Sequence, residues 1–272
     1  MIDIIGILTR TWLGVSAPAP GAQIHTAPLV AGPAAGAAAG SAQAAPTPAP
    51  ATKVDASTIV DNVQKFYAGI KQVTATFRQT VTNSTFGSNK TSDGTVWLMK
   101  PGKMRWDYVE KKGAKVQVKK SFISNGQYLY VVEHDNKQVV KKNLQNDLMP
   151  VAVSFLYGKG DLKTEFNAAL DTTGKYGDKG DLVLKMTPKK PSAQYKALYL
   201  VVAPDNFRVK QSIIIDSSDN TNQFRFYKPD FEAAIKDTYF EFNEGSVKNY
   251  RIIDADAQGS GAGAPAALPP AK

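Results

Sequence analysis

The chain has 272 residues, of which 43% are hydrophobic and 21% are charged, and its formal net charge is +9 at pH 7. These values are ordinary for a globular protein and leave enough apolar residues for a hydrophobic core. Because the sequence contains no cysteine, it offers no residue for a disulfide, a cysteine-ligated metal site or an acylated-cysteine anchor.

The two ends of the chain differ from its middle in composition. Residues 13–54 and 255–272 are mostly Ala, Pro and Gly, which bury too little apolar surface to offset the entropy of ordering. We therefore expect a disordered arm over 1–54, a single domain over 55–254 and a disordered tail over 255–272. The arm is either a weak signal region or a flexible tether. We favour export, mainly because the Pro-Ala spacer looks like a periplasmic linker. The small residues at 41–44 would also suit signal cleavage.

The domain begins with a predicted helix followed by a predicted strand. Ser57 is a suitable N-cap for a helix over 58–67, whose apolar residues recur on one face. From Val73 to Val81, apolar and polar residues alternate, which is typical of a half-buried strand. Residues 83–93 are polar and predict a connection.

Two hairpins are predicted next. In the first, Pro101-Gly102 joins two strand-like runs between Gly94 and Tyr108 that are rich in Trp, Met and Tyr. In the second, Asn125-Gly126, a dipeptide favoured in tight hairpin turns, joins strands over 116–124 and 127–133.

A short apolar helix is predicted over 150–157, with Pro150 in its first turn and Gly158 at its end. It is too short to be stable alone and must lie against an apolar surface. Strands are predicted again over 181–187, 195–203, 208–216, 223–227 and 239–242. The predicted fold class is therefore α+β, a single domain in which an antiparallel sheet curls into an incomplete barrel beside an N-terminal helix.

Residues suited to catalysis are few. His25 lies in the arm, and His134 precedes Asp135 in a predicted turn with no nucleophile motif beside it. Asp161 and Glu165 fit a solvated helix face, and the glycines do not follow a phosphate-binding pattern. We therefore expect no enzymatic activity, no cofactor and no metal site.

The positive charge is spread over lysines at predicted strand ends, including Lys111, Lys119, Lys141 and Lys189. Such a surface suits an acidic protein partner or an anionic membrane, and it is equally consistent with plain solvation. Nucleic acid is not predicted as a partner, because no recognition helix or RNA-binding motif accompanies the lysines.

Large apolar side chains recur at alternate positions in several predicted strands. Met104, Trp106 and Tyr108, for example, share one strand face. Such faces form either an ordinary core or the wall of a cavity, because the interior of a curled sheet must be filled by side chains or by a ligand. Met and aromatic residues adapt well to flexible apolar ligands.

Three segments carry a resemblance to a known family: WLMKPGKMRWDY at 97–108, FISNGQYLYVV at 122–132 and MPVAVSFLYGKGDL at 149–162. In this order they resemble the periplasmic outer-membrane lipoprotein carriers (LolA-type family), across about residues 57–242. The resemblance implies an incomplete antiparallel barrel, covered by helices, around a hydrophobic cavity. It also implies the partners: acylated lipoprotein cargo, an inner-membrane lipoprotein-releasing ABC transporter complex, and an outer-membrane receptor or the outer membrane itself.

The resemblance further implies roles for individual residues. Trp106 falls on a cavity aromatic of the family, residues 150–157 fall on its lid, and Lys100 falls where some members have an arginine that fastens the lid. Because Lys lacks the planar fork of Arg, the latch is weaker here or is shared with Arg105. The predicted lid residues are Pro150, Val151, Val153, Phe155 and Leu156. The predicted lipid-binding cavity is lined by Phe77, Trp97, Met104, Trp106, Tyr108, Tyr128, Tyr130, Leu184 and Leu200.

Other functions remain open at this point. An outer-membrane lipoprotein receptor of similar fold would carry an acylated cysteine, which the sequence lacks. A sensor of mislocalised lipoproteins, or a carrier or sensor of another lipid or glycolipid, fits the same pattern, whereas a hydrolase fits it least. For the carrier we expect a monomer located in the periplasm.

Overall fold

The computed structural model describes residues 55–144, 161–192 and 195–257. Within them the chain forms an open, curved, largely antiparallel sheet with few helices, which confirms the predicted α+β fold class; the sheet does not close into a barrel. The strands, in chain order, are β1 (Gln72–Thr82), β2 (Asn89–Met99), β3 (Lys103–Lys112), β4 (Lys115–Asn125), β5 (Tyr128–Glu133), β6 (Gln138–Asn143), β7 (Phe166–Leu170), β8 (Leu182–Pro188), β9 (Ala197–Val202), β10 (Val209–Ile215), β11 (Thr221–Asp230) and β12 (Arg251–Asp254).

The strand order across the sheet is β12-β6-β5-β4-β3-β2-β1-β11-β10-β9-β8-β7. Consecutive strands along the chain pair with each other except β6 with β7 and β11 with β12. Strand β1 pairs with both β2 and β11, so it joins the two halves of the sheet. The pair β12–β6 at one edge is parallel.

Helix α1 (Ala56–Gly69) precedes the sheet and buries one face against it, through Ile59, Val60, Val63 and Tyr67. Its N-cap is Asp55 and not the predicted Ser57. The Asp55 carboxylate accepts hydrogen bonds from Thr58 N at 2.9 Å and Thr58 Oγ1 at 2.8 Å, and these bonds hold the pKa of Asp55 below its usual value.

The structure differs from the predicted elements at several positions. β2 begins at Asn89, inside the predicted connection, because its polar start pairs with the end of β1. The predicted strand over 239–242 is instead a 3₁₀ helix at Asp237–Phe240. The edge strands β7 and β12 were not predicted.

The other short helices of the described residues are α2 (Leu162–Glu165) and a second 3₁₀ helix at Glu244–Ser246. Asp161 caps α2, its side chain accepting a hydrogen bond from Lys163 N at 2.8 Å. The predicted helix over 150–157 lies outside the described residues.

The sheet has two unlike faces. We call the face that packs against α1 the inner face, and the opposite one the outer face. The inner face supplies most of the main core, which includes Phe77, Val96, Trp106, Leu184 and Leu200. The outer face carries two smaller clusters, one around Val183, Val201 and Ile213 and one around Ile123, Val132 and Val139.

Gly94 in β2 lets the inner face pack tightly. A Cβ atom at this position would lie 2.3 Å from Asp107 O and 2.5 Å from Phe77 Cζ. The missing side chain therefore makes room for the Phe77 ring, which crosses over β2 next to Tyr108, the partner of Gly94 in β3.

Gly94→Ala should lower the free energy of unfolding by about 1–3 kcal/mol, because neither the backbone carbonyl nor the buried ring can move away cheaply. Denaturant unfolding measures the change. Gly69→Ala is the matched control, since a Cβ there meets nothing within 4 Å, and it should leave stability unchanged or raise it by up to about 1 kcal/mol. Equal stabilities for the two variants would contradict this account of Gly94.

Candidate functional site

An aromatic cluster occupies the centre of the inner face. The centroid of the Phe77 ring lies 5.1 Å from that of Trp106, 5.0 Å from that of Tyr108 and 5.9 Å from that of Phe224. Most of these contacts are edge-to-face, the geometry that aromatic pairs prefer. All four residues are buried. They share one face because alternate residues of β1, β3 and β11 point the same way.

Six of the nine residues predicted to line a cavity belong to this main core. In addition to Phe77, Trp106 and Tyr108, they are Met104 of β3, Leu184 of β8 and Leu200 of β9. Strands from both halves of the sheet thus contribute to one continuous apolar surface.

The structure separates the other three predicted lining residues from these six. Trp97 follows the inward-facing Val96, so its ring lies on the outer face, 5.7 Å from the Tyr239 ring. Tyr128 and Tyr130 alternate with inward-facing residues of β5, and Tyr130 stacks on Phe242 at 4.8 Å. The prediction grouped all nine because it could not tell which of the two faces of each strand is turned inward.

A small cavity lies between α1 and the inner face. Its volume is about 40 Å³, which is room for a few water-sized groups, because one such group needs about 10–15 Å³. An acyl chain is far larger, so it can bind here only if neighbouring elements move apart. The cavity is lined by Tyr67, Val73, Ala75, Val96, Leu98, Arg208, Val209, Phe226, Pro229 and Phe231.

None of these residues was among the nine predicted from the sequence to line a cavity. Two signals could have found part of the lining. Val73 and Ala75 are apolar positions in the alternating pattern of β1, and Phe226 lies between Arg225 and Tyr227 in β11. Tyr67 comes from α1, and its place beside these strands follows only from the way the helix crosses the sheet.

Helix α1 is fastened to the sheet at its C-terminal end. Lys100 Nζ, at the end of the β2–β3 hairpin, donates to Tyr67 O at 2.5 Å and to Ala68 O at 3.0 Å. These carbonyls belong to the last turn, where a helix leaves acceptors unpaired and favours a cation. Burial lowers the pKa of Lys100.

A second fastening comes from the side chain of Tyr67. Val209 N donates to Tyr67 Oη at 3.2 Å, which ties α1 to β10. Burial raises the pKa of Tyr67 to about 12, so the hydroxyl is protonated at neutral pH. Leu162 N also donates to Gln64 Oε1 at 2.7 Å, which joins α1 to α2.

Arg105, the other predicted latch residue, lies on the outer face. Its Nε is 2.9 Å from Asp107 Oδ2, and Nη1 donates to Tyr239 O at 3.3 Å. Arg105 therefore binds the Asp237–Phe240 segment to the outer face of the sheet and does not approach α1. The predicted lid residues Pro150, Val151, Val153, Phe155 and Leu156 lie outside the described residues, so a role of Lys100 or Arg105 in latching that lid stays a prediction.

The helices within residues 55–144, 161–192 and 195–257 are too short or too polar to cross a bilayer. Among these residues, the main cluster of buried apolar side chains lies between the curved sheet and α1. This arrangement defines the class of protein: an open-sheet α+β domain with an apolar interior under a helical cover.

Comparison with known proteins assigns the family. The sequence profile described as "Outer membrane lipoprotein carrier protein LolA" matches residues 68–243. The outer-membrane lipoprotein carrier protein of Chromobacterium violaceum is 28% identical over 200 residues, which cover 74% of this chain and 89% of that protein. The same-named protein of Cupriavidus necator is 28% identical over 171 residues, 61% of this chain and 74% of that protein. The chain belongs to the LolA family of lipoprotein carriers.

Two solved structures align with about 70% of the chain. A LolA superfamily protein from Nitrosomonas europaea aligns with a TM-score of 0.38 and 12% identity, covering 70% of this chain and 98% of that one. An outer membrane lipoprotein-sorting protein domain from Vibrio parahaemolyticus aligns with a TM-score of 0.40 and 11% identity, covering 69% and 97%.

Lys100→Met tests the fastening of α1, because it keeps the apolar stem and removes the donors. Amide hydrogen exchange in α1 should become about fivefold faster, corresponding to about 1 kcal/mol for the removed hydrogen bonds. Mass spectrometry of the exchanged peptides measures it.

The matched control is Lys103→Met in the same hairpin, which removes the 2.9 Å ion pair with the exposed Asp237 and should leave exchange in α1 unchanged. If Lys100→Met and wild type exchange at the same rate in α1, Lys100 does not fasten the helix.

Proposed function

We propose that this protein is a periplasmic carrier that binds the acyl chains of lipoproteins against its inner face and delivers them from the inner to the outer membrane. The observation that carries the proposal is the continuous apolar inner face, which is drawn from both halves of the sheet and covered by helix α1. Membership of the LolA family supports it.

The small cavity explains how such a carrier would release its cargo. Burying hydrocarbon is worth roughly 0.8 kcal/mol per methylene, so a preformed cavity for several chains would hold them almost irreversibly. Here the cavity is only about 40 Å³, so the chains must first displace α1 or its neighbours from the inner face. The free energy needed to displace these elements is subtracted from the free energy of binding, which permits transfer to a tighter-binding receptor without ATP.

The acyl chains would contact the inner-face residues Phe77, Met104, Trp106, Leu184 and Leu200, with Phe226 at the cavity beneath α1. Trp97, Tyr128 and Tyr130 would not contact chains bound there, because their side chains lie on the other face. The lid at 150–157 would add a further cover. The partners would be an inner-membrane lipoprotein-releasing complex and an outer-membrane receptor, and the carrier would act as a monomer without catalysis.

The decisive assay incubates the full chain with inner-membrane vesicles that contain a triacylated lipoprotein and its ATP-driven release complex. We expect stoichiometric soluble complexes of protein and lipoprotein, measured by sedimentation and mass spectrometry. Phe226→Asp should reduce the carried lipoprotein at least tenfold, because a carboxylate beside hydrocarbon is costly to desolvate.

Tyr227→Asp is the matched control, since Tyr227 is the next residue of β11 and is 41% exposed; it should carry cargo like wild type. Thermal melts verify that both variants fold. If Phe226→Asp does not fold, Ala75→Leu, which fills the cavity, replaces it. Soluble free lipid without lipoprotein would favour the alternative carrier of another lipid. No soluble complex from the wild type would refute the proposal.

The two faces can be told apart with brominated acyl chains, which quench nearby tryptophans. In a Trp12→Phe background, Trp97→Phe keeps only the inward-facing Trp106, and Trp106→Phe keeps only the outward-facing Trp97. A brominated fatty acid should quench the emission of the first variant strongly and leave the second nearly unchanged. Equal quenching of both would show that chains do not bind on the inner face.

A further inference from the structure

A polar pocket of about 140 Å³ lies at one end of the inner face, outside the apolar cavity. The row of partners Gly94, Tyr108, Lys120 and Glu133 crosses β2, β3, β4 and β5 at this end. In the neighbouring row, Trp106 pairs with the apolar Phe122, so the inner face changes from apolar to charged within two residues along β3 and β4. The pocket is lined by Lys90, Tyr108, Lys119, Lys120, Glu133, Asp135 and Asn136.

Tyr108 forms the boundary between the two environments. Its ring packs on Phe77 and Phe122, with centroids at 5.0 Å and 5.8 Å. Its hydroxyl is buried and has no hydrogen-bond partner among the described residues. Because a buried hydroxyl without a partner is unfavourable, an acceptor atom in the adjoining pocket would be stabilised by this donor.

The charged groups around the pocket are three lysines and two acids. Lys120 Nζ lies 2.9 Å from Glu133 Oε1, and Lys119 Nζ lies 3.0 Å from Asp135 Oδ2. Lys90 is the third cation, so the lining has a formal charge of +1. Glu110, outside the lining, approaches Lys119 at the longer distance of 3.8 Å.

The cations of the pocket repel one another. The pKa of Lys90 is lowered by burial and, to a smaller degree, by the positive charge of Lys119. A bound anion would relieve this repulsion. A metal cation would add to it, so the arrangement favours a ligand with negatively charged acceptor oxygens.

We propose that this pocket is an oxyanion site, which binds a phosphate group through the Tyr108 hydroxyl and the ammonium groups of Lys90 and Lys119. A volume of about 140 Å³ accommodates a group of that size, since a single water needs only about 10–15 Å³. Acyl chains carry no charge, so the site goes beyond the proposed carriage of lipoproteins and does not depend on it. The phosphate would be either a lipid headgroup or a free anion.

Calorimetric titration of the full chain with three probes tests the site: inorganic phosphate, octyl phosphate and octanol. Octyl phosphate should bind more tightly than octanol, which has the same tail without the anion. Tyr108→Phe keeps the ring and removes the hydroxyl, so the phosphate affinity should fall about tenfold, as expected for a hydrogen bond to a charged group, while the melting temperature does not fall.

Lys119→Gln is the second variant, with the same expected loss, and keeps the test valid if Tyr108→Phe does not fold. Lys185→Gln, an exposed charge change in β8, is the matched control and should bind octyl phosphate within twofold of wild type. The ³¹P chemical shift of bound octyl phosphate should move in wild type and in the control.

Each outcome of the titrations either supports or overturns the proposed oxyanion site. Binding of octyl phosphate alone supports the site and identifies a lipid headgroup as the source. Binding of both phosphate probes, with the same dependence on Tyr108 and Lys119, supports the site and identifies a free anion. Equal affinity for octanol and octyl phosphate, no binding of either phosphate probe, or unchanged affinity in both variants overturns it. None of these results alters the lipoprotein-carriage assay.

Discussion

The structure depends on covering one face of an open sheet. The inner face presents large apolar side chains from strands of both halves, and an open sheet, unlike a closed barrel, does not hide them from water by its own curvature. Within the described residues the main cover is α1, a helix of 14 residues. A helix of this length is marginal alone. Its stability therefore comes from the same apolar contacts that it protects.

Because of this mutual dependence, α1 is held on the sheet more by apolar contact area than by specific bonds. The buried residues of α1 make non-directional hydrophobic contacts with the sheet. A hydrocarbon chain can make contacts of the same kind. The directional bonds to α1 within the described residues include those of Lys100 to two carbonyls, Tyr67 to Val209 and Gln64 to Leu162, and the ion pair of Asp61 with Lys163. In the proposed function, α1 would leave this position and an acyl chain would take its place.

Local patterns predicted local structure, and distant pairing was not predictable from them. The alternation in β1 and the turn dipeptides Pro101-Gly102 and Asn125-Gly126 specify strands and hairpins within a few residues. β12 joins β6 in parallel across more than a hundred residues, and no local signal marks such a partner. The N-cap was misplaced by two residues because Asp55 and Ser57 are both good caps. The faces of Trp97 and Tyr130 required the register.

Gly94 lies where the apolar core of the inner face meets the polar pocket. Without a Cβ at this position, the Phe77 ring lies against β2 and reaches Tyr108 in the opposite strand. The Tyr108 ring is thereby fixed between two aromatic neighbours, so its hydroxyl is directed by packing and not by a hydrogen bond. The next positions on the same face are Lys120 and Glu133, which line the polar pocket at the sheet's end. The absence of a side chain at Gly94 thus allows the apolar core and the charged pocket to meet at Tyr108.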